Sequence, residues 1–438
     1  MSPASSAATA PPWADLLPEL CELVTERLDP ISILRFPAVC TGWSAACEEN
    51  PRLHPGAPAL LTSGLDPDGC EIESNVDAGA FGLHDVSAGG GGKSFLGEAE
   101  GLKGRTWVGG KNRWLVTTDC GCDVELLNPV TGARVRLPSF ATIHGVEVPG
   151  YLHVRTGVHC HKILKVALCR TPAHPDGHLA VALFSEGLLA FTAAAGGGGK
   201  GERRWTALKN PASASRSDVS YMDAIVLNGK LFAVNELGRI YSWDLDGGAT
   251  TEPAVVQGPE IDEISRHDHD HDQCWFYLAL AASCGGGQER LLLIYIHGYD
   301  VADMYKYRGR CWDSRVWSRL VFDDRRSFLE LGMSLHELDA GSGTWRRVTH
   351  LGGDRALFLG ANYPFYVTVR RGRWSEDEAD LDADCVYLAD TPYGCDAAIF
   401  DLKKGDGGDG CIKRRLAYSL VADPLQMPMW FVPTDYPH

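Results

Sequence analysis

The chain has 438 residues, 45% of them hydrophobic and 22% charged, which is ample for a large buried core. Its formal net charge of −16 argues against nucleic acid as a main partner, since phosphate binding needs a basic surface. No run approaches the roughly 18 consecutive apolar residues that span a bilayer, and the 14 scattered cysteines contain no Cys-x-x-Cys pair. That usage suits reduced thiols better than a disulfide framework, so a cytoplasmic or nuclear protein is expected, with no membrane and no nucleic acid among its partners.

Residues 1–12 are rich in Ser and Ala and are expected to form a disordered tail. Residues 13–50 read differently. Leu17, Leu20, Cys21, Val24 and Leu28 recur at helical spacing, Pro18 suits a first helical turn, and Glu19 and Glu22 favour the positive end of the helix dipole. Asp29-Pro30 then stops the chain and caps a short second helix holding Ile31, Ile33 and Leu34. Pro37 restarts it, and Val39, Cys40, Trp43 and Cys47 form a further apolar stripe. Three helices this short bury too little surface to stand alone, so they need cover from the rest of the chain or from a partner.

Leu17-Pro18-Glu19, Leu28, Leu34-Arg35, Val39-Cys40 and Trp43 carry a resemblance to the F-box. It implies binding to the Skp-type linker subunit of a cullin–RING ubiquitin ligase. The linker-binding residues it points to are Leu17, Pro18, Leu20, Val24, Leu28, Ile31, Leu34, Val39, Cys40 and Trp43. Glu19 follows Pro18 directly, and Pro37 replaces the usual polar residue before Val-Cys; both depart from the family pattern.

Residues 51–58 read as a linker, 59–430 as a β domain and 431–438 as a tail. Strands at Leu231–Val234 and Arg239–Trp243 flank the turn Asn235-Glu236-Leu237-Gly238, and Tyr241 and Trp243 make one face aromatic. Leu291–Ile296 is apolar on both faces, as a covered inner strand would be. Five hairpin patterns recur, at 126–138, 191–208, 242–256, 337–351 and 400–416. Their markers Asn128, Thr192, Asp244, Asp339 and Asp401 lie 64, 52, 95 and 62 residues apart, and the long gap suggests a degenerate repeat near 291–296. Such units are what β-propeller blades require; a stacked pair of sheets is the alternative.

Leu126-Leu127-Asn128-Pro129-Val130-Thr131-Gly132, the stretch from Val348 to Gly360, and Cys385–Asp390 resemble the plant family of F-box proteins with domain of unknown function 295. The resemblance implies a mainly β fold: a kelch-like β-propeller of about six to eight blades, preceded by a small three-helix F-box.

Little chemistry stands out. Gly89–Ser94 imitates a phosphate loop, but Ser87 occupies the position where the motif needs glycine, so a flexible loop is expected. His267, His269 and His271 alternate with aspartates in a polar stretch that reads as a solvated loop. His159-Cys160-His161 and Cys120-x-Cys122 read as strand residues, and Lys413-Arg414-Arg415 as a solvated strand end. Glu376–Glu378 with Asp380, Asp382 and Asp384 reads as a hydrated acidic loop. No nucleophile arrangement, cofactor or metal site is expected, and no catalysis. The function expected is a substrate adaptor of an SCF-type ubiquitin ligase, its F-box on the linker and its propeller on a target protein. The alternatives are a ligase-independent β-propeller binding scaffold and a metal-dependent enzyme built on the histidine cluster.

Overall fold

The computed structural model describes residues 12–25, 27, 28, 32, 35–49, 58–63, 79–84, 86, 94–143, 163–194, 204–212, 219–245, 252–259, 275–281, 289–298, 331–339, 342–369, 381–389, 397–403, 410–416 and 428–432. The fold is mainly β. Two α-helices occur among the described residues, α1 (Pro18–Thr25) and α2 (Thr41–Glu49), with 3-10 turns at Pro12–Asp15 and Phe36–Ala38. The third helix of the expected trio belongs to residues of which Ile31, Ile33 and Leu34 lie outside the described set.

The β body is a succession of antiparallel meanders. The first sheet holds β1 (Ala59–Ser63), β2 (Ala80–His84) and β3 (Ser94–Glu98). The second holds β4 (Thr106–Lys111), β5 (Trp114–Thr118), β6 (Val124–Leu127) and β7 (Arg134–Arg136). β8 (Ile163–Arg170), β9 (Leu179–Phe184), β10 (Leu189–Ala193) and β11 (Thr206–Ala207) form the third. β12 (Tyr221–Leu227), β13 (Lys230–Asn235), β14 (Ile240–Asp244) and β15 (Ala254–Val256) form the fourth.

A nine-stranded sheet follows. One part holds β16 (Trp275–Ala281), β17 (Arg290–Gly298), β18 (Leu331–Asp339) and β19 (Thr344–Val348). The other holds β20 (Arg355–Leu359), β21 (Phe365–Thr368), β22 (Cys385–Leu388), β23 (Ala397–Asp401) and β24 (Gly410–Leu416). The parts meet at β18 and β24, where Gly332 faces Cys411 and Met333 faces Gly410. Finally β25 (Met429–Phe431) returns to the first sheet, with Ala59 opposite Phe431 and Leu60 opposite Trp430. Successive four-stranded sheets tied shut by a strand from the far end of the body are the arrangement of a β-propeller.

Local sequence explains the hairpins. At 235–239 the Asn235 side chain accepts the N–H groups of Leu237 and Arg239, and Gly238 takes a φ of 73°. All five sequence hairpins are present, as β6–β7, β10–β11, β14–β15, β18–β19 and β23–β24. The expected extra repeat near 291–296 is corrected. Those residues are the second strand of the sheet that also contains Asp339, fully buried between β16 and β18. The long spacing comes from the segment joining β17 to β18.

Indole N–H groups tie neighbouring sheets together. Trp205 donates to the Pro138 carbonyl at 2.7 Å, Trp243 to Lys209 at 2.9 Å and Trp345 to Gln257 at 2.6 Å. Trp430 donates to Leu359 at 2.8 Å and so joins the first sheet to β20. Each of these four indoles thereby finds the partner its polar edge requires. Where β4 and β8 touch, only glycine fits: a Cβ on Gly109 would run into the Val166 carbonyl.

One boundary and two charged stretches differ from the sequence reading. The β body extends past residue 430, because Phe431 pairs with Ala59 and Val432 is buried. The acidic stretch is not uniformly hydrated. Asp382 pairs with Lys413 at 2.6 Å, and Asp384 is fully buried on the backbone N–H groups of Leu351 and Gly353. Arg414 reaches the Val86 carbonyl at 2.7 Å, so the basic triplet is partly packed.

Candidate functional site

The helical segment builds a miniature core of its own. Cys21, Phe36 and Cys47 are buried together, with Leu16, Val24, Leu28, Trp43 and Ala46 packed around them. Trp43 stacks on Phe36 with ring centroids 4.2 Å apart and donates its indole N–H to the Trp13 carbonyl at 2.6 Å. The Cys40 sulfur accepts the Trp43 backbone N–H at 3.4 Å, and burial pushes the Cys21 thiol above its ordinary pKa. Arg35 links this unit to the β body by donating to the Val130 carbonyl at 3.3 Å.

Other apolar side chains of the segment, at the start of α1, along it and after the 3-10 turn, are uncovered. Leu17 is 63% exposed, Leu20 45%, Leu23 46% and Val39 57%. With Trp13, these are five of the eight large exposed apolar side chains among the described residues, all within residues 13–39. Isolated surface leucines need no explanation, but here five large apolar side chains are exposed within residues 13–39. The expected linker-binding set therefore divides. Leu17, Pro18, Leu20 and Val39 face solvent; Val24, Leu28, Cys40 and Trp43 are half-buried in the segment itself; Ile31 and Leu34 lie outside the described residues. Leu23, which the sequence reading omitted, extends the exposed row by one helical step.

A second constellation lies where β4, β8, β12, β16 and β25 converge, each the edge strand of its sheet. The β20–β21 turn, Gly360 to Tyr363, is buried there. Lys165 of β8 donates to the Gly360 carbonyl at 2.9 Å and pairs with Asp223 of β12 at 2.7 Å. Asp223 in turn accepts the N–H of Leu278 in β16 at 3.0 Å. Asn362 accepts the N–H of Trp430 in β25 at 3.0 Å, and Tyr363 donates its N–H to Gly110 of β4 at 2.7 Å. Lys111 sits 4.1 Å from the centre of the Tyr363 ring and donates to the Cys169 carbonyl; burial lowers its pKa to about 8. The signal for this cluster was a lone charge inside an apolar strand, Lys165 in Ile163–Cys169 and Asp223 in Tyr221–Leu227.

A third feature is a cleft of about 490 Å³ lined by Thr349, His350, Gly352, Gly353, Asp384, Leu402 and Lys403. Burial opposes ionisation of Asp384, yet Lys403 at 2.7 Å and two backbone N–H groups hold its pKa below the usual value. Among the described residues no group of His, Cys, Asp and Glu is placed to hold a metal ion. His267, His269 and His271 lie outside the described residues, as do His159, Cys160 and His161. Cys120 and Cys122, expected in a strand, lie instead in the turn between β5 and β6 as free thiols, the first exposed and the second buried. No described helix is long and apolar enough to cross a membrane.

Residues 90–409 match the family model described as the KIB1-4 beta-propeller. The chain belongs to this family. The helical segment, β1, β2, β24 and β25 of this KIB1-4 propeller lie outside the matched span. Among curated proteins there is no match. The chain is similar to the crystallised N-terminal domain of Nup159, with 9% identity over 76% of this chain and 71% of that one, at a TM-score of 0.29. It is similar also to the computationally designed Ika8 protein, with 9% identity over 81% of each chain and a TM-score of 0.29. The Cps50 (Swd1) β-propeller domain of Myceliophteria thermophila shares 10% identity over 82% of this chain and 96% of that one, at a TM-score of 0.26. Likenesses this distant carry no functional weight.

Proposed function

We propose that this KIB1-4 propeller is a protein-interaction scaffold that serves as the substrate adaptor of an SCF-type ubiquitin ligase. The helical segment, read as an F-box, meets the Skp-type linker, and the β body, read as a kelch-like propeller of about six to eight blades, holds a target protein. The observation that carries this reading is the exposed set Leu17, Leu20, Leu23 and Val39 on a segment that already has its own core. Apolar surface of this kind is stabilised when a second polypeptide covers it. The adaptor contributes proximity; bond making belongs to other subunits, so the chain itself is not an enzyme. A cytoplasmic or nuclear location follows from that role.

The test is capture of a Skp-type linker by the full-length chain, compared with the variant Leu17→Asp/Leu20→Asp. Both residues point outward, so the variant folds, and linker capture is expected to fall at least tenfold. Equal capture by the two chains, or none by either, refutes the adaptor reading and leaves the scaffold.

A further inference from the structure

The edge strands that surround the centre of the β body present a chemical demand. An unpaired edge exposes backbone N–H and C=O groups, which need partners when buried. We infer that the Gly360–Tyr363 turn is a built-in peptide ligand of the propeller, filling its centre and closing it to small molecules.

Three kinds of contact carry the inference. Backbone pairing comes first: Asn362 bridges in parallel to Gly110, and the Tyr363 N–H reaches the Gly110 carbonyl. The Asn362 side chain then accepts from Trp430, on the strand that closes the ring. Third is a relay that starts at the turn, running from the Gly360 carbonyl to Lys165, on to Asp223, and from Asp223 to the Leu278 N–H. Through these links one turn engages β4, β8 and β25 directly and β12 and β16 through a buried ion pair. Lys165 and Asp223 are 8% and 2% exposed, and such a pair persists only where its remaining donors and acceptors are met. The Gly360 carbonyl and the Leu278 N–H meet them.

It follows that target recognition falls to the outer faces and loops, independently of whether a ligase is involved. The experiment is amide hydrogen exchange on the full chain. In the wild type, the N–H groups of Tyr363, Trp430 and Leu278 exchange as slowly as those of the buried strand β17. In Asn362→Ala, the Trp430 N–H exchanges at least tenfold faster while β17 is unchanged. In Lys165→Met/Asp223→Leu, which leaves no charge stranded, the same loss appears at Leu278. Fast exchange at Tyr363 in the wild type overturns the inference without any variant. Native mass spectrometry showing a stoichiometric small molecule that Lys165→Met releases overturns it as well.

Discussion

His84 illustrates how one buried side chain sets a response to acid. It lies in β2, only 9% exposed, with Nε2 2.9 Å from the Thr62 hydroxyl. Burial lowers its pKa from 6.5 to about 4. Between those values the unfolded chain binds a proton that the folded chain refuses, so stability falls as pH drops through that window. A shift of this size amounts to about 3 kcal/mol across the whole window. Urea midpoints measured from neutral pH downward are expected to fall less steeply for His84→Gln than for the wild type. Parallel curves show that His84 is not the group responsible. Asp384 is the opposite case. It stays charged because Lys403 and two backbone N–H groups offset its burial. Nothing in the acidic run around it distinguished that one aspartate, since its partners at 351, 353 and 403 are remote or are backbone atoms.

At the scale of elements, α1 divides its apolar residues between two tasks. Cys21 is fully buried, while Leu20, its neighbour in sequence, is 45% exposed. Leu20→Asp is therefore expected to change stability by less than about 0.5 kcal/mol. Cys21→Asp places a charge in the core beside Phe36 and Cys47 and is expected to unfold the segment. Loss of protection against hydrogen exchange across Pro18–Thr25 in Cys21→Asp alone is the outcome that separates the two. Helical spacing identified the apolar residues of α1 but treated Leu17, Leu20, Cys21, Val24 and Leu28 as a single face. Spacing records which residues are greasy; it does not record which of two adjoining stripes the neighbouring turn covers. Hairpins were easier to read. Asn235 and Gly238 declare their turn within five residues, because every group involved is local. The β20–β21 turn was illegible for the converse reason: its partners at 110, 165 and 430 come together only in the finished ring.

For the whole molecule, the decisive joint is β25. Trp430 is 1% exposed, packs edge-on against Phe358 at 5.0 Å and donates its indole N–H to Leu359. Trp430→Ala removes a large core side chain and a staple between sheets together. Its expected cost is at least about 3–5 kcal/mol, read as a lower guanidinium midpoint in equilibrium unfolding. A loss under about 1 kcal/mol contradicts the role given to this joint.

Pairing residue 59 with residue 431 also governs how the chain comes into being. During synthesis, β1 leaves the ribosome long before its partner exists and carries an unsatisfied edge throughout elongation. Ring completion is thus a late, long-range and slow event. Until it happens, the final strand of one nascent copy is chemically able to complete the opening strand of another.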